Sequence, residues 1–500
     1  MSSNLPKNAA AVILLRPDTD QGNPEVFWVK RSDKLAFLGG YAAFPGGQMD
    51  DTDREVVVRN TVNADTAAMV SCAARELFEE LGVLAVRGGD SLTKGQRASL
   101  HDDLESGRMA WPMLLAHYEL YLDANDFLFV GCWVTPPFIA RRFDTWFFLV
   151  TCPSKQEPQV VPGELANGEW IKAAAAYDRW LSSEIVAVPP TLHALKTLAG
   201  GISSDLIDRF LAPAQAHGEP VRKITFRPNY TSFPVRTPTK PPATHTNCYL
   251  IYTTKEILIF DPGSPYEDEQ QALATCIDEL VSEGRRVREI IITHLHPDHV
   301  GGVNALRKHV GDSVPVAAHA ETASALSDIK VARLIADDEV ISLEGVPDMR
   351  LRALHTPGHA RGHLCFHDER TGVLLTGDNI VGLGSVLIDP PEGNMVDYLS
   401  SLERVRGLAN LTVLFGGHGP AIANPYQKID EYISHRLERE KLILQAVRAG
   451  TTTAKEIVAR VYTDVSPKAH AMAERAVLAH LEKLVFEGKV AVQEGMYEAT

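Results

Sequence analysis

IIITHLHPDHVGG, residues 290–302, carries the clearest structural signal in this chain of 500 residues. The isoleucines predict a buried strand, and the glycines follow a short turn into a helix. His294 and His296 are two positions apart and are expected to point the same way, whereas Asp298 and His299 open the helix. All four side chains are of types that can bind metal ions. One short segment could therefore serve two metal ions.

Three later segments repeat the combination of a strand-like run, glycine and a metal-binding side chain. They contain His359 in HTPGH, Asp378 in TGD and His418 in GGHGP. With residues 290–302, they resemble the metallo-β-lactamase superfamily over about residues 221–424. The resemblance implies an αββα sandwich and a hydrolase with two Zn²⁺ ions. The implied ligands are His294, His296 and His359 for one ion, Asp298, His299 and His418 for the other, and Asp378 as the bridge, with Asp298 also catalytic.

The remaining histidines receive no metal-binding role from their spacing. His355 and His363 flank His359 and are expected to support the ligands rather than to bind metal. Asn247, which precedes a strand-like run, is also interpreted as structural. No role is assigned to the isolated histidines His193, His217, His245, His319 and His470.

A second cluster, in the N-terminal part of the chain, consists of carboxylates on a predicted helix. Glu76, Glu79 and Glu80 are spaced i, i+3 and i+4, so they share one helix face. Such a face is often simply solvated. Alternatively, a hard cation neutralises it, and oxygen ligands select Mg²⁺ or Mn²⁺.

The same segment, REXXEEXG, resembles the Nudix box, with FPGG at residues 44–47 as the loop that opens it. The resemblance covers about residues 10–199 and implies a Nudix α/β/α sandwich that binds Mg²⁺ or Mn²⁺ through Glu76, Glu79 and Glu80. Glu79 and Glu80 are the implied catalytic residues, and Arg75 would orient the glutamates. Glu164 or Glu169 could supply the general base, or both could be surface residues without a catalytic role.

The Nudix resemblance has two departures that bear on the substrate. Gly47 and Arg75 are 28 positions apart, about twice the usual separation, and Ala67 stands where a further glutamate is expected. A similar insertion occurs in the Nudix coenzyme A diphosphatases of peroxisomes. The resemblance therefore implies cleavage of a pyrophosphate in coenzyme A, an acyl-coenzyme A or another nucleoside diphosphate derivative.

The C-terminal region is predicted to be a winged-helix-like module, because helical patterns end in two short strand-like runs. It resembles the tail of the lactamase-β-like endoribonucleases, which makes single-stranded RNA a candidate partner. From Lys428 onward, 11 basic residues balance 11 acidic residues. Without a basic stripe, binding of duplex DNA is not expected.

Length and composition fit an α+β multidomain protein of about three domains. The predicted ranges are 1–210 for the Nudix domain, 211–220 for a linker, 221–424 for the metallo-β-lactamase-fold domain and 425–500 for the winged-helix-like module. The net charge of −15 and the six cysteines without a CXXC pair favour a cytoplasmic protein that does not bind membranes.

Together these features predict a bifunctional metal-dependent hydrolase. Its Nudix site would cleave a pyrophosphate, and its zinc site would hydrolyse either an RNA-like phosphodiester or a thioester. The alternative is a nucleotide-sensing regulator, in which the Nudix domain binds without cleaving and the winged helix binds DNA. The sequence does not indicate an oligomeric state.

Overall fold

The computed structural model describes residues 5–35, 38–139, 141–463 and 466–500. The chain divides into two compact units, residues 1–228 and residues 229–500. The mixed α and β multidomain fold class is confirmed. The finer division into 1–210, 221–424 and 425–500 stays a prediction.

The first unit is built on a mixed sheet with the strand order β3-β2-β1-β8-β7. Strand β1 pairs in parallel with β8 and antiparallel with β2 and β4, while β9 pairs with β2. The strands of this unit are β1 Lys7–Leu15, β2 Glu25–Arg31, β3 Ala42–Ala43, β4 Gly46–Gln48, β5 Val58–Arg59, β6 Leu122–Asp123, β7 Leu128–Val134, β8 Phe143–Thr151, β9 Leu165–Lys172 and β10 Ile224–Arg227.

One helix, α1, carries the predicted glutamates and packs against this sheet. The Asn63 side chain caps its N-terminus, and Gly82 ends it in the left-handed region at φ 64°. Its apolar face, including Leu77 and Phe78, is buried in the core with β1. The helices are α1 Ala64–Leu81, α2 Lys94–Glu105, α3 Trp111–His117, α4 Ala173–Leu181, α5 Pro189–Ala199 and α6 Leu206–Leu211.

The second unit contains two sheets that pack face to face, with Phe260 and Phe366 in edge contact between them (centroids 5.0 Å apart). In the first sheet, the strands run in sequence order from β11 to β16 and become parallel after β13. Its strands are β11 Tyr230–Arg236, β12 His245–Tyr252, β13 Glu256–Phe260, β14 Arg286–Ile291, β15 Val316–Ala318 and β16 Arg333–Leu334.

The second sheet has the order β17-β18-β19-β20-β21, and its last pair is parallel. Helices α7 and α9 cover the first sheet, and α11 covers the second. The bounds are β17 Val340–Leu343, β18 Met349–His355, β19 Leu364–Asp368, β20 Val373–Gly377, β21 Val413–Gly416, α7 Glu267–Ser282, α8 Pro297–Val300, α9 Val303–Val310, α10 Ala320–Ala325 and α11 Met395–Arg406.

The C-terminal part of the second unit is helical and ends in a hairpin, as the sequence predicts. Helices α12 Pro425–Arg448, α13 Ala454–Val461 and α14 His470–Phe486 share a small core, and strands β22 Val490–Gln493 and β23 Met496–Ala499 pair antiparallel. Among the described residues, no helix has the length and apolarity needed to cross a bilayer.

Candidate functional site

The turn after β14 and the short helix α8 that follows it carry four of the predicted metal ligands. Strand β14 ends at Ile291, and α8 begins at Pro297, whose fixed φ suits the first helical position. His294 and His299 are fully buried here, and each has a hydrogen bond at Nδ1 but no hydrogen-bond partner for Nε2 among the described residues, which is unusual for a buried polar atom.

Loops at the ends of other strands bring the remaining predicted ligands to the same place. His359 follows β18, Asp378 follows β20 and His418 follows β21. All three side chains are buried. Because β20 and β21 run parallel, their carboxyl ends meet at one edge of the second sheet.

The seven predicted side chains form two groups joined by Asp378. Each group offers ligand atoms within 4.8 Å of one another, and the groups are His294, His296 and His359, and Asp298, His299 and His418. Asp378 Oδ2 lies 3.2 Å from His418 Nε2 and 3.7 Å from His359 Nε2, so its carboxylate faces both groups. The structure thus brings the seven side chains together, and the bridging role of Asp378 stays a prediction.

Several imidazole rings are held by Nδ1 and leave Nε2 facing the centre of the site. Nδ1 donates to the Asp261 carboxylate in His299 (2.8 Å), to the Leu387 carbonyl in His359 (2.9 Å) and to the His245 carbonyl in His418 (2.8 Å). Metal-binding histidines are usually fixed in this way.

Buried donor atoms without partners show that the site fits metal ions. Within the described residues, Nε2 of His294, His299 and His359 and Oδ1 of Asp378 have no hydrogen-bond partner. Leaving such atoms unpaired costs free energy, which a bound cation would recover. A donor set of imidazoles with few carboxylates suits zinc.

The electrostatics favour the neutral, metal-binding form of His294 and His359, whereas the Asp378 carboxylate raises the pKa of His299 and His418 despite their burial. Burial, reinforced by the neighbouring imidazoles, lowers the pKa of His294 and brings the pKa of His359 to about 3. Burial opposes ionisation of Asp378, yet His418 and His299 hold its pKa well below the usual range. Neutral imidazoles and an ionised carboxylate are ligand forms.

Gly417 is required by the closeness of the ligands. A Cβ atom at this position would lie 2.3 Å from Asp378 Oδ1 and 2.7 Å from His299 Cε1. Only glycine therefore allows the β21 loop to approach the site so closely.

Asp261 is a buried residue of the site that the sequence reasoning missed. It follows β13, with φ 49°, and accepts hydrogen bonds from Thr293 N, Thr293 Oγ1 and His299 Nδ1. The sequence feature that could have indicated Asp261 is the Asp-Pro-Gly segment, which directly follows the strand-like EILIF run. His363 has the expected supporting position, since its Nε2 accepts from the Asp378 backbone N–H at 3.1 Å.

In the first unit, the glutamates of α1 line a cleft of about 630 Å³ beside the FPGG loop. The Gly46 N–H donates to Glu80 Oε2 at 2.8 Å. A Cβ at Gly47 would lie 2.5 Å from Glu76 Oε2, so the loop packs directly on the helix. The FPGG loop and the glutamate helix are therefore in direct contact.

Arg75 contacts two of the three glutamates and a buried aspartate, and its role in orienting the glutamates for a cation stays a prediction. Nη1 of Arg75 lies 2.9 Å from Glu76 Oε1 and 2.7 Å from Glu79 Oε2. Nη2 of the same side chain lies 2.9 Å from Asp53 Oδ2. Asp53 is fully buried and lies in the insertion between the two parts of the motif. The sequence reasoning gave Asp53 no role.

The three glutamates share the cleft but do not converge on one point. Among the described residues of the first unit, no three acidic or histidine side chains offer oxygen or nitrogen atoms within 4.8 Å of one another. The reason is that the Arg75 guanidinium contacts Glu76 and Glu79, while Glu80 bonds to the loop. Burial raises the pKa of Glu76 to about 7 and that of Glu80 to about 8.

The two proposed general bases differ in position. Glu164 lines the cleft, together with the partly buried Arg31. Glu169 instead accepts hydrogen bonds from Trp28 Nε1 and from Arg179 NH1. Of the two, Glu164 is therefore the one that can face a molecule in the cleft.

Comparison with known proteins assigns families to the second unit. A family profile described as the metallo-beta-lactamase superfamily matches residues 241–418, and one described as the beta-lactamase associated winged helix domain matches residues 453–497. The metallo-β-lactamase resemblance and the winged-helix prediction are thereby confirmed, whereas the likeness to the endoribonuclease branch and to the Nudix family stays a prediction.

Two relatives and one solved structure are each similar to a part of this chain. The beta-lactamase-like protein 2 homolog of Drosophila melanogaster is 32% identical over 264 residues, 51% of this chain and 86% of that protein. The atrochrysone carboxyl ACP thioesterase of Aspergillus fumigatus is 30% identical over 204 residues, 41% of this chain and 60% of that protein. A NUDIX hydrolase structure from Alicyclobacillus acidocaldarius is 31% identical with a TM-score of 0.35, over 41% of this chain and 96% of that chain.

Proposed function

This chain belongs to the metallo-beta-lactamase superfamily, and from that premise we propose that its second unit is a dinuclear zinc hydrolase that cleaves acyl thioesters. The observation that carries the proposal is the pair of ligand groups that face the Asp378 carboxylate, with unpartnered Nε2 atoms between them. The predicted Zn²⁺ ligands are retained in the proposal.

The zinc ions would supply Lewis acidity for attack on a carbonyl or phosphoryl group. The protein's own contribution is to hold the ligands rigidly. Asp261 fixes His299, the Leu387 carbonyl fixes His359, and the His245 carbonyl fixes His418. Asp298 Oδ2 lies 3.5 Å from His418 Nε2, so a second carboxylate borders the site.

A thioester is the favoured substrate because a relative of this region is named a thioesterase, the acyl carrier protein thioesterase of A. fumigatus. An RNA-like phosphodiester is the competing substrate. It is suggested by the likeness of the C-terminal module to the tail of the endoribonuclease branch.

The test measures hydrolysis by the purified full-length protein loaded with zinc. Free thiol released from an acyl-coenzyme A is followed with a chromogenic thiol reagent, and single-stranded RNA is offered in parallel. We expect thiol release that falls by at least about a hundredfold in His296→Ala. The control is His309→Ala, whose ring contacts Asp278 on the surface. Cleavage of RNA but not of the thioester would refute the proposed substrate, whereas the proposal of a zinc hydrolase would still hold.

For the first unit, we propose a Mg²⁺- or Mn²⁺-dependent diphosphatase that acts on coenzyme A or a related nucleoside diphosphate derivative. The supporting observation is one cleft that holds Glu76, Glu79 and Glu80 together with Arg31. A divalent cation bound by the glutamates would neutralise a diphosphate, and Arg31 offers a further positive charge to it. Glu164 is the proposed general base.

Replacing one glutamate tests this second activity. We expect Glu79→Gln to lower diphosphate hydrolysis by about a hundredfold and to leave thiol release by the second unit unchanged. The exposed Glu55 provides the control Glu55→Gln. Nucleotide binding without any hydrolysis by the wild-type protein would refute the diphosphatase and favour the sensing alternative.

A further inference from the structure

The loop between β20 and α11, residues 379–392, lies between the metal centre and the C-terminal helices. Ile380, Val381 and Val386 of this loop are buried in one apolar cluster with Ile429 of α12 and Ala479 of α14. The C-terminal module therefore packs on the segment that connects Asp378 to the rest of the second sheet.

Polar contacts fix the same loop from the C-terminal side. The Tyr432 hydroxyl of α12 lies 3.2 Å from both the amide nitrogen and the carbonyl oxygen of Val381. Arg475 of α14 contacts the Asp389 carboxylate at 2.5 Å and donates to the Pro390 carbonyl. These contacts come from two helices and reach both ends of the loop.

Arg436 is the most deeply buried of these contacts. Its side chain extends from α12, and its NH2 donates to the Val386 carbonyl. The guanidinium also lies 5.4 Å from the ring centroid of Tyr398, whose hydroxyl donates to the Asn379 carbonyl at 2.8 Å. Within the described residues, no carboxylate forms an ion pair with Arg436.

Burying a cation without a carboxylate partner costs free energy of folding, so we looked for what the buried Arg436 side chain stabilises. The Val386 carbonyl that Arg436 binds precedes Leu387, whose carbonyl accepts the Nδ1–H of His359. The orientation of the Leu387 carbonyl sets the ring of His359 and the direction of its Nε2. Arg436 is thus two hydrogen bonds away from a proposed zinc ligand.

We propose that Arg436 is a positioning residue, which holds His359 for zinc through the backbone of residues 386–387 and thereby couples the C-terminal module to the metal centre. This inference rests on the proposed zinc site. It gives the helical module a role in metal binding that does not require contact with nucleic acid.

The test compares Arg436→Met and Arg436→Lys with Lys441→Ala on the exposed face of the same helix. Zinc affinity of the full-length protein is measured by competition with a chromophoric chelator. The visible spectrum of the cobalt-loaded protein reports ligand geometry. We expect Arg436→Met to weaken zinc binding by about tenfold, the lower end for residues that support ligands, and to change the cobalt spectrum. The lysine variant should recover most of the affinity, because its ammonium can still donate to the Val386 carbonyl.

Wild-type zinc affinity and an unchanged cobalt spectrum in Arg436→Met would overturn the inference. An equal loss in Lys441→Ala would overturn it as well. If Arg436→Met does not fold, Tyr432→Phe removes only the hydroxyl at Val381, and unchanged metal affinity in that variant refutes the coupling. A wild-type protein that binds no zinc would instead refute the proposed metal centre itself.

Discussion

Replacing Asp261 by asparagine changes the hydrogen bonding of a proposed zinc ligand with almost no change in shape. One carboxylate oxygen accepts from the Thr293 N–H at 2.8 Å. The other accepts from Thr293 Oγ1 at 2.6 Å and from His299 Nδ1 at 2.8 Å. In Asp261→Asn, the amide oxygen can keep the first bond, but the NH₂ group then faces the hydroxyl and the imidazole.

An NH₂ group cannot accept the proton on His299 Nδ1. The ring must then move or carry its proton on Nε2, which is the atom that faces Asp378 and the proposed ion. Loss of a group that orients a ligand weakens metal binding by about 10- to 100-fold. This corresponds to about 1.4 to 2.7 kcal/mol of binding free energy.

The assay is a zinc competition titration of the full-length Asp261→Asn protein against a chromophoric chelator. The matched control is Asp278→Asn, because Asp278 also contacts a histidine, His309 at 2.9 Å, but on an exposed surface. Zinc affinity equal to that of the wild type in Asp261→Asn, or an equal loss in the control, would refute the role given to Asp261.

Two further substitutions test the close approach at the zinc site and the buried charges of the first unit. Gly417→Ala should weaken zinc binding by about 10- to 100-fold in the same titration, because its Cβ would displace Asp378 and His299. The control is Gly407→Ala, whose Cβ would lie at an ordinary 3.4 Å from its nearest neighbour, and this variant should bind zinc normally. Normal zinc binding by both variants would refute the claim that the site has no space for a side chain at position 417. Arg75→Met leaves the buried Asp53 carboxylate without its cation, so urea unfolding should show a loss of about 3 to 5 kcal/mol. Arg54→Met breaks only the exposed ion pair with Asp65, so the free energy of unfolding should fall by less than about 1 kcal/mol. Similar losses in the two variants would refute the larger stabilisation assigned to the buried Arg75–Asp53 pair.

The sequence predicts best what depends on neighbouring residues. The strand before His294, the turn at Pro297 and the glutamate face of α1 all follow from local spacing, and the structure has them. Asp261 could not be found in this way, since its contact with His299 depends on the parallel pairing of β13 and β14. That pairing joins residues nearly 40 positions apart.

The glutamate helix shows a different limit of sequence reasoning. Helical spacing places Glu76, Glu79 and Glu80 on one side, but it does not specify where the flexible carboxylates end. Arg75 draws Glu76 and Glu79 to its guanidinium and is itself held by Asp53 from the inserted segment. The Nudix motif does not include the inserted segment, so the motif could not predict that Asp53 contacts Arg75.

Asp378 is proposed to join two metal-binding groups into one dinuclear centre, so the zinc content of the protein depends on this residue. The measurement is the number of zinc equivalents per full-length chain, by elemental analysis after gel filtration, in the wild type and in Asp378→Ala. We predict about two equivalents for the wild type and a loss of at least one in the variant. A wild-type protein without zinc would refute the dinuclear centre, and a variant that keeps the full wild-type zinc content would refute the role of Asp378.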